Sequence, residues 1–246
     1  MEFEKHVKNF LSGSSFSNGL SLKICHKNDP LRDRFSIIEE ICNGKDIIHL
    51  GCVDHLPLVE KKIKDRVWLH ARLCSCARKC LGIDINNEGI EYLTKLGYSE
   101  VICADITKDD IPDLIGNQWD YLVLGEILEH VDNPCAFLTT IHEKYSKNVG
   151  RMIITVPNAF SWQNILHTFS HEECINTDHR YWFTPYTLAK ITIRAGMEVE
   201  SFLFCQPVPL PVGRLSWLIH PRSLLRHAIL YRYPATRQTL VMVVKL

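Results

Sequence analysis

Five short apolar runs recur through the chain, each followed at once by a turn-forming or polar residue: Asp46-Ile-Ile-His-Leu-Gly51, Cys80-Leu-Gly-Ile-Asp-Ile85, Glu100-Val-Ile-Cys-Ala-Asp105, Tyr121-Leu-Val-Leu-Gly125 and Arg151-Met-Ile-Ile-Thr-Val156. Runs of this length, apolar without strict alternation, are strands covered on both faces. Helical stretches separate them. Helices are expected at Phe35–Ile41 (ended by Gly44), around Val67–Lys79, at Asn87–Leu96 and at Pro134–Tyr145. Strand and helix in regular alternation restrict the chain to an α/β, doubly wound, mostly parallel sheet. Pro185–Ala195 reads as a further helix capped by Gly196, and Met197–Phe204 and Gln238–Lys245 as a β-rich pair. That pair brings the count to seven strands, the last antiparallel, with an insertion before it.

A chain of 246 residues, 46% of them apolar, holds one such domain plus an appendage. Residues 1–33 are polar and mixed, with Ser12–Gly19 as a loop, and are expected to form an N-terminal arm. Residues 34–246 form the domain. Its insertion, 206–237, combines several prolines with Arg214, Arg222, Arg226, Arg232 and Arg237 and with apolar Leu215, Trp217, Leu218, Leu224, Leu225 and Ile229. It reads as a lid, a homodimer contact or a peripheral membrane contact. Positive and negative residues balance at 28 each, so there is no charge footprint for a long nucleic acid. No apolar run approaches the roughly 20 residues that span a bilayer, and the start lacks the layout of a secretory signal, so a cytoplasmic location is expected. Of ten cysteines, Cys42, Cys52, Cys103 and Cys205 fall in expected strands or helices as small hydrophobes. Cys74, Cys76 and Cys80 lack paired C-x2-C elements and sit at an expected helix, which favours packing over a metal.

In such sheets the ligand lies beyond the carboxyl ends of the strands. There the first turn, His49-Leu-Gly-Cys-Val-Asp-His55, keeps a single glycine, Gly51. Asp84, closing the second run, is placed to hold a ribose diol, and Asp105 with Ile106 to meet the amino group and apolar face of a purine. The fourth run ends in Gly125-Glu126-Ile-Leu-Glu129-His130, and a distant His179 lies in Asn176-Thr-Asp-His-Arg-Tyr-Trp-Phe-Thr-Pro. Two carboxylates and two imidazoles suit a hard divalent ion such as Mg²⁺. Equally, Glu129 and His130 can serve as capping groups for the helix that follows. Trp162, Tyr181 and Trp182 can wall an acceptor, while His171 and Glu172 read as surface residues.

Taken together, HLGCVDH, GIDI, ADI, WDYLVLGEILEHVDNP and IITVPN resemble the class I S-adenosylmethionine-dependent methyltransferases over about residues 35–205. The resemblance implies a Rossmann-like methyltransferase fold with S-adenosylmethionine as donor. It implies that Gly51 and Cys52 line the methionine and ribose part, Asp84 and Ile85 the ribose strand, Asp105 and Ile106 the adenine, and Gly125 and Glu126 the methyl donor. The chain departs from the family at Val53, Asp54 and His55, where further glycines are usual, and Asp54 stands where it can crowd the donor carboxylate. EILEH followed by TDHRYWFTPYTL is similar to ubiquinone-pathway O-methyltransferases, to 3′-terminal small-RNA ribose methyltransferases and to bacterial glycan or secondary-metabolite methyltransferases. In metal-using members the residues matching Glu126, Glu129, His130 and His179 bind a divalent cation. The expectation is O-methylation of a small-molecule or glycan-type hydroxyl, with His179 as base and with Glu126 and His130 beside it. The alternatives are an RNA 3′-end acceptor and a degenerate domain that only binds a partner.

Overall fold

The computed structural model describes residues 1–27, 29–54, 56–208 and 221–246. In chain order the helices are α1 (Lys5–Ser12), α2 (Arg34–Cys42), α3 (Leu56–Lys64), α4 (Leu69–Cys76), α5 (Asn87–Lys95), α6 (Pro112–Ile115), α7 (Pro134–Tyr145), α8 (Trp162–Phe169), α9 (Pro185–Arg194) and α10 (Pro221–Arg232). The strands are β1 (Asp46–Leu50), β2 (Lys79–Asp84), β3 (Val101–Cys103), β4 (Trp119–Gly125), β5 (Val149–Pro157), β6 (Glu198–Cys205) and β7 (Thr239–Lys245). They form one sheet in the order β3-β2-β1-β4-β5-β7-β6, parallel from β3 to β5, with β7 antiparallel to both of its neighbours. The strand order reverses direction between β1 and β4, which opens a crevice at their carboxyl ends. This is the expected α/β sheet of seven strands, parallel except for the antiparallel last strand.

Each face of the sheet carries its own apolar layer, as parallel strands require. Ile48, Leu122, Leu124, Ile154 and Met242 belong to one buried cluster, and Ile47, Val123, Ile153 and Val241 to the other. Alternate residues of one strand thus fill opposite layers. The helices begin where the sequence supplies caps. Asp33, Asn86, Asn133, Ser161 and Thr184 each accept a backbone N–H of the following first turn, and Thr187 completes a capping box with Thr184.

Residues 1–33, expected as an arm, are built into the body of the molecule. Phe3, Val7 and Leu11 are buried in the main core, and the Met1 and Phe202 backbones bond each other in both directions. Arg237 is only 1% exposed. Its guanidinium donates to the carbonyls of Asp29, Pro30, Phe204 and Leu230, tying this segment to β6 and α10. Within the expected insertion, Arg214, Leu215, Trp217 and Leu218 lie outside the described residues. Among the described residues no helix is long and apolar enough to cross a membrane.

Candidate active site

The turn after β1 has its shape because two strands hold it. Gly51 and Cys52 donate their N–H groups to the Ile83 carbonyl, and Val53 donates to Asp84 Oδ2 at 2.9 Å. Asp84 Oδ1 takes the Asn86 amide at 3.0 Å, so this carboxylate is fixed at the tip of β2. Gly51 has φ +72°, and a Cβ there would stand 2.6 Å from Ile127 Cδ1, so a side chain is both strained and blocked. At Gly125 space alone is limiting, with Leu69 Cδ2 at 2.9 Å from an added Cβ.

Beyond this turn lies a cavity of about 460 Å³ lined by residues of the β1 and β4 ends and of the 176–179 loop. It brings together Gly51, Cys52, Gly125, Glu126, Glu129, His130 and His179. Asp84, Ile85, Asp105 and Ile106 are not part of its wall. Ile85 is 76% exposed and lies outside on the surface at the end of β2, where its apolar face is open. Asp105 is committed locally. It accepts from Thr107 N and Oγ1 and pairs with Lys108 at 2.8 Å, and these partners hold its carboxyl down at about 2. Ile106 is 2% exposed with its side chain in the core, so what it can offer a ligand is its backbone.

At the far end of the cavity Glu129 is 0% exposed, and neither of its carboxylate oxygens has a hydrogen-bond partner among the described residues. A buried carboxylate without partners is costly. Burial and the neighbouring Glu126 carboxylate push its pKa up to about 8. His179 Nε2 lies 4.0 Å from Glu129 Oε1, and the His130 and His179 rings meet edge to face with centroids 4.7 Å apart. Burial, with His130 second, lowers the pKa of His179 below the usual imidazole value, so its ring is neutral at pH 7. The loop is anchored by its backbone: Arg180 N–H bonds the Glu129 carbonyl, its guanidinium bonds the His130 carbonyl, and Nε pairs with Asp132 at 2.6 Å. Glu129, His130 and His179 place ligand atoms within 4.8 Å of one another.

Glu126 stands apart from that trio. Its backbone is left-handed, φ 55°, and its carboxylate turns to Arg34 at 3.2 Å. The four-residue ligand set expected from the sequence is therefore a trio plus an ion pair. Arg34, at the start of α2, is a site residue that sequence reasoning missed, as are Lys62, Trp68, Asn176 and Asp178. Lys62 pairs with Asp54 at 2.6 Å, so the carboxylate expected to crowd the turn has a cation against it. Trp162 and Trp182 are not in the cavity wall, although the Trp182 ring approaches His179 edge-on with centroids 6.3 Å apart. Tyr181 is partly exposed and its hydroxyl donates to the Asp132 carbonyl. His171 and Glu172 are exposed.

A family model described as a methyltransferase domain matches residues 29–201. In three dimensions the chain is similar to the small RNA methyltransferase HEN1 (TM-score 0.54, 14% identity), covering 93% of this chain and 27% of that one. It is also similar to a SAM-dependent methyltransferase of Thermotoga maritima described as a possible histamine N-methyltransferase (TM-score 0.51, 13% identity, 86% of each chain). A SAM-dependent methyltransferase of Archaeoglobus fulgidus matches with TM-score 0.47 and 14% identity, over 86% of this chain and 94% of that one. At these identities the likeness is one of fold. No curated protein matches in sequence.

Proposed function

Because the chain belongs to the S-adenosylmethionine-dependent methyltransferases, we propose that it methylates a hydroxyl oxygen of a small molecule or glycan-type acceptor, using His179 as base. The donor supplies a methyl group on a sulfonium: the acceptor oxygen forms the new C–O bond while the C–S pair returns to sulfur, leaving S-adenosylhomocysteine. Everything else falls to this chain. The Gly51 turn gives the donor close backbone approach, Asp84 offers its carboxylate to the ribose, and Ile85 offers an apolar face to the base. Lys62 offsets Asp54, so the donor carboxylate does not meet an uncompensated like charge. His179, neutral at pH 7, takes the acceptor proton on a ring nitrogen.

The observation that carries this reading is the Glu129 carboxylate, buried with no hydrogen-bond partner among the described residues and beside two imidazoles, in the same cavity as the Gly51 turn. Oxygen and nitrogen donors of this kind fit a hard or borderline divalent cation. In our reading Glu129, His130 and His179 would hold it, and it would lower the pKa of an acceptor hydroxyl. With an ion held there, His179 would be a ligand and not the base, and the acceptor proton would leave to solvent. Without it, His179 is the base. Calorimetric titration with S-adenosylhomocysteine tests the donor site: saturable one-to-one binding that Asp84→Ala abolishes supports it, and no heat would favour a non-catalytic binding module. Methyl transfer to hydroxyl acceptors, with Mg²⁺ and with EDTA, then separates the two roles of His179.

An RNA 3′ end is the competing acceptor, since HEN1 is described as a small RNA methyltransferase. The balance of 28 positive against 28 negative residues favours the smaller acceptor. Filter binding of RNA at low salt would reverse that preference.

A further inference from the structure

A second cluster lies on the other side of β1 from the Glu129 trio. α4 carries His70 and Cys74 four residues apart, on one helical face. Cys80 arrives from the second residue of β2, which runs out of the turn after α4. Cys74 Sγ is 3.6 Å from His70 Nε2, and Cys80 Sγ is 3.9 Å from His70 Nδ1. The three side chains offer one ligand atom each, all within 4.8 Å of one another. Ordinary zinc bond lengths in a tetrahedral site imply a nitrogen-to-sulfur separation of about 3.6 Å, the spacing of His70 and Cys74.

We propose that His70, Cys74 and Cys80 form a binding site for a thiolate-preferring divalent metal ion, zinc above all, separate from the donor cavity. The surroundings fit the requirements of such a site. His70 is fully buried and its Nδ1 lies 3.2 Å from Nδ1 of His49, itself 3% exposed. With Nε2 on the metal, the Nδ1 proton is donated to His49, which fixes the tautomer and ring angle as an outer partner does. The Trp68 and Tyr98 rings flank His70 at 5.5 and 5.6 Å. A cavity of about 300 Å³, lined also by Lys79, Tyr98 and Glu100, opens onto the two sulfurs. It supplies the entry path and leaves a fourth position for water or an anion. Cys76, third member of the sequence triplet, is not part of the cluster and packs in the layer beneath β1.

Softness separates this site from the Glu129 trio, because two thiolates select zinc or cobalt over Mg²⁺. The test is titration of the reduced full chain with Co²⁺. We expect one equivalent to produce a thiolate-to-cobalt charge-transfer band, displaced by Zn²⁺ and unaffected by Mg²⁺. The band should survive Glu129→Gln, Cys103→Ser and Cys174→Ser, and vanish in Cys74→Ser, whose exposed side chain can change without disturbing the core. His49→Ala should weaken Co²⁺ about 10- to 100-fold. Zn²⁺ should also slow alkylation of Cys74 in the wild-type chain, a readout that needs no variant. A band absent from the reduced protein, or one that persists in Cys74→Ser, would overturn the site.

Discussion

At the residue scale the cavity is governed by a few side chains whose neighbours decide their charge. Glu129 is the clearest. Its folded pKa of about 8 against an ordinary 4.5 means the metal-free folded chain keeps a proton that the unfolded chain has lost. Stability therefore falls as pH rises between those values and is flat beyond them. Glu129→Gln removes the titration, so thermal denaturation in EDTA should find the variant more stable by on the order of a few kcal/mol at pH 8, the gap closing toward pH 5. A gap that does not change with pH would remove Glu129 as its source. His179 titrates with the opposite sense: its lowered pKa makes the base form complete at neutral pH, and activity should rise with pH on the acid side and level off below 7. In His179→Ala we expect kcat to drop by about 10²–10⁴ and that acid limb to disappear; a variant that loses rate but keeps the limb places the base elsewhere.

At the scale of elements, the turn between β1 and α3 is where backbone geometry limits the site. Gly51→Ala puts a Cβ 2.6 Å from Ile127 Cδ1 at a φ of +72°. It should cost on the order of 1–3 kcal/mol in stability and weaken S-adenosylhomocysteine. Ile127→Val deletes Cδ1 and leaves Cγ1 at 3.2 Å, so the double variant should recover most of the steric part and leave the strain, a coupling that a double-mutant cycle in urea measures. Additive effects would show that the clash is relieved by movement. The elements themselves were unevenly legible. β1 to β5 stand out because strands covered on both faces must be apolar throughout, and Gly44 and Gly196, both at positive φ, mark helix ends. α3 and α8 bury almost nothing, Val59 alone in α3 and no residue in α8, so they contribute little to the core by which the other helices are recognised. α1 does carry an apolar face, Val7 and Leu11 with Phe3 four residues ahead of them just before the helix, which the surrounding polar residues mask. In the site, Glu129, His130 and His179 were readable as a motif, whereas Arg34 beside Glu126 was not, because nothing local announces an ion pair between α2 and the end of β4.

At the scale of the molecule, the N-terminal segment closes the sheet and delivers Arg34 to the cavity. Two separate fastenings hold it. Near the site, the Arg34 N–H bonds the Gln206 carbonyl and the Gln206 N–H bonds the Arg32 carbonyl, while Asp33 caps α2. Farther off, Arg237 gathers the carbonyls of Asp29, Pro30, Phe204 and Leu230 around one buried guanidinium. Burial lowers the pKa of this arginine, yet four carbonyl acceptors keep a charge there tolerable. Arg237→Ala takes the donor from all four carbonyls, of which those of Phe204 and Leu230 are buried, and opens a cavity between α10 and β6. The loss should be on the order of 3 kcal/mol or more. Since the Gln206 fastening and the Asp33 cap remain, Arg34 keeps its place against Glu126, and donor affinity should be unchanged at temperatures where the variant is folded. Urea denaturation paired with calorimetric titration of S-adenosylhomocysteine separates the two fastenings. A drop in midpoint with constant Kd confirms their independence, whereas a parallel loss of affinity would mean that the Arg237 cluster holds the donor cavity in shape.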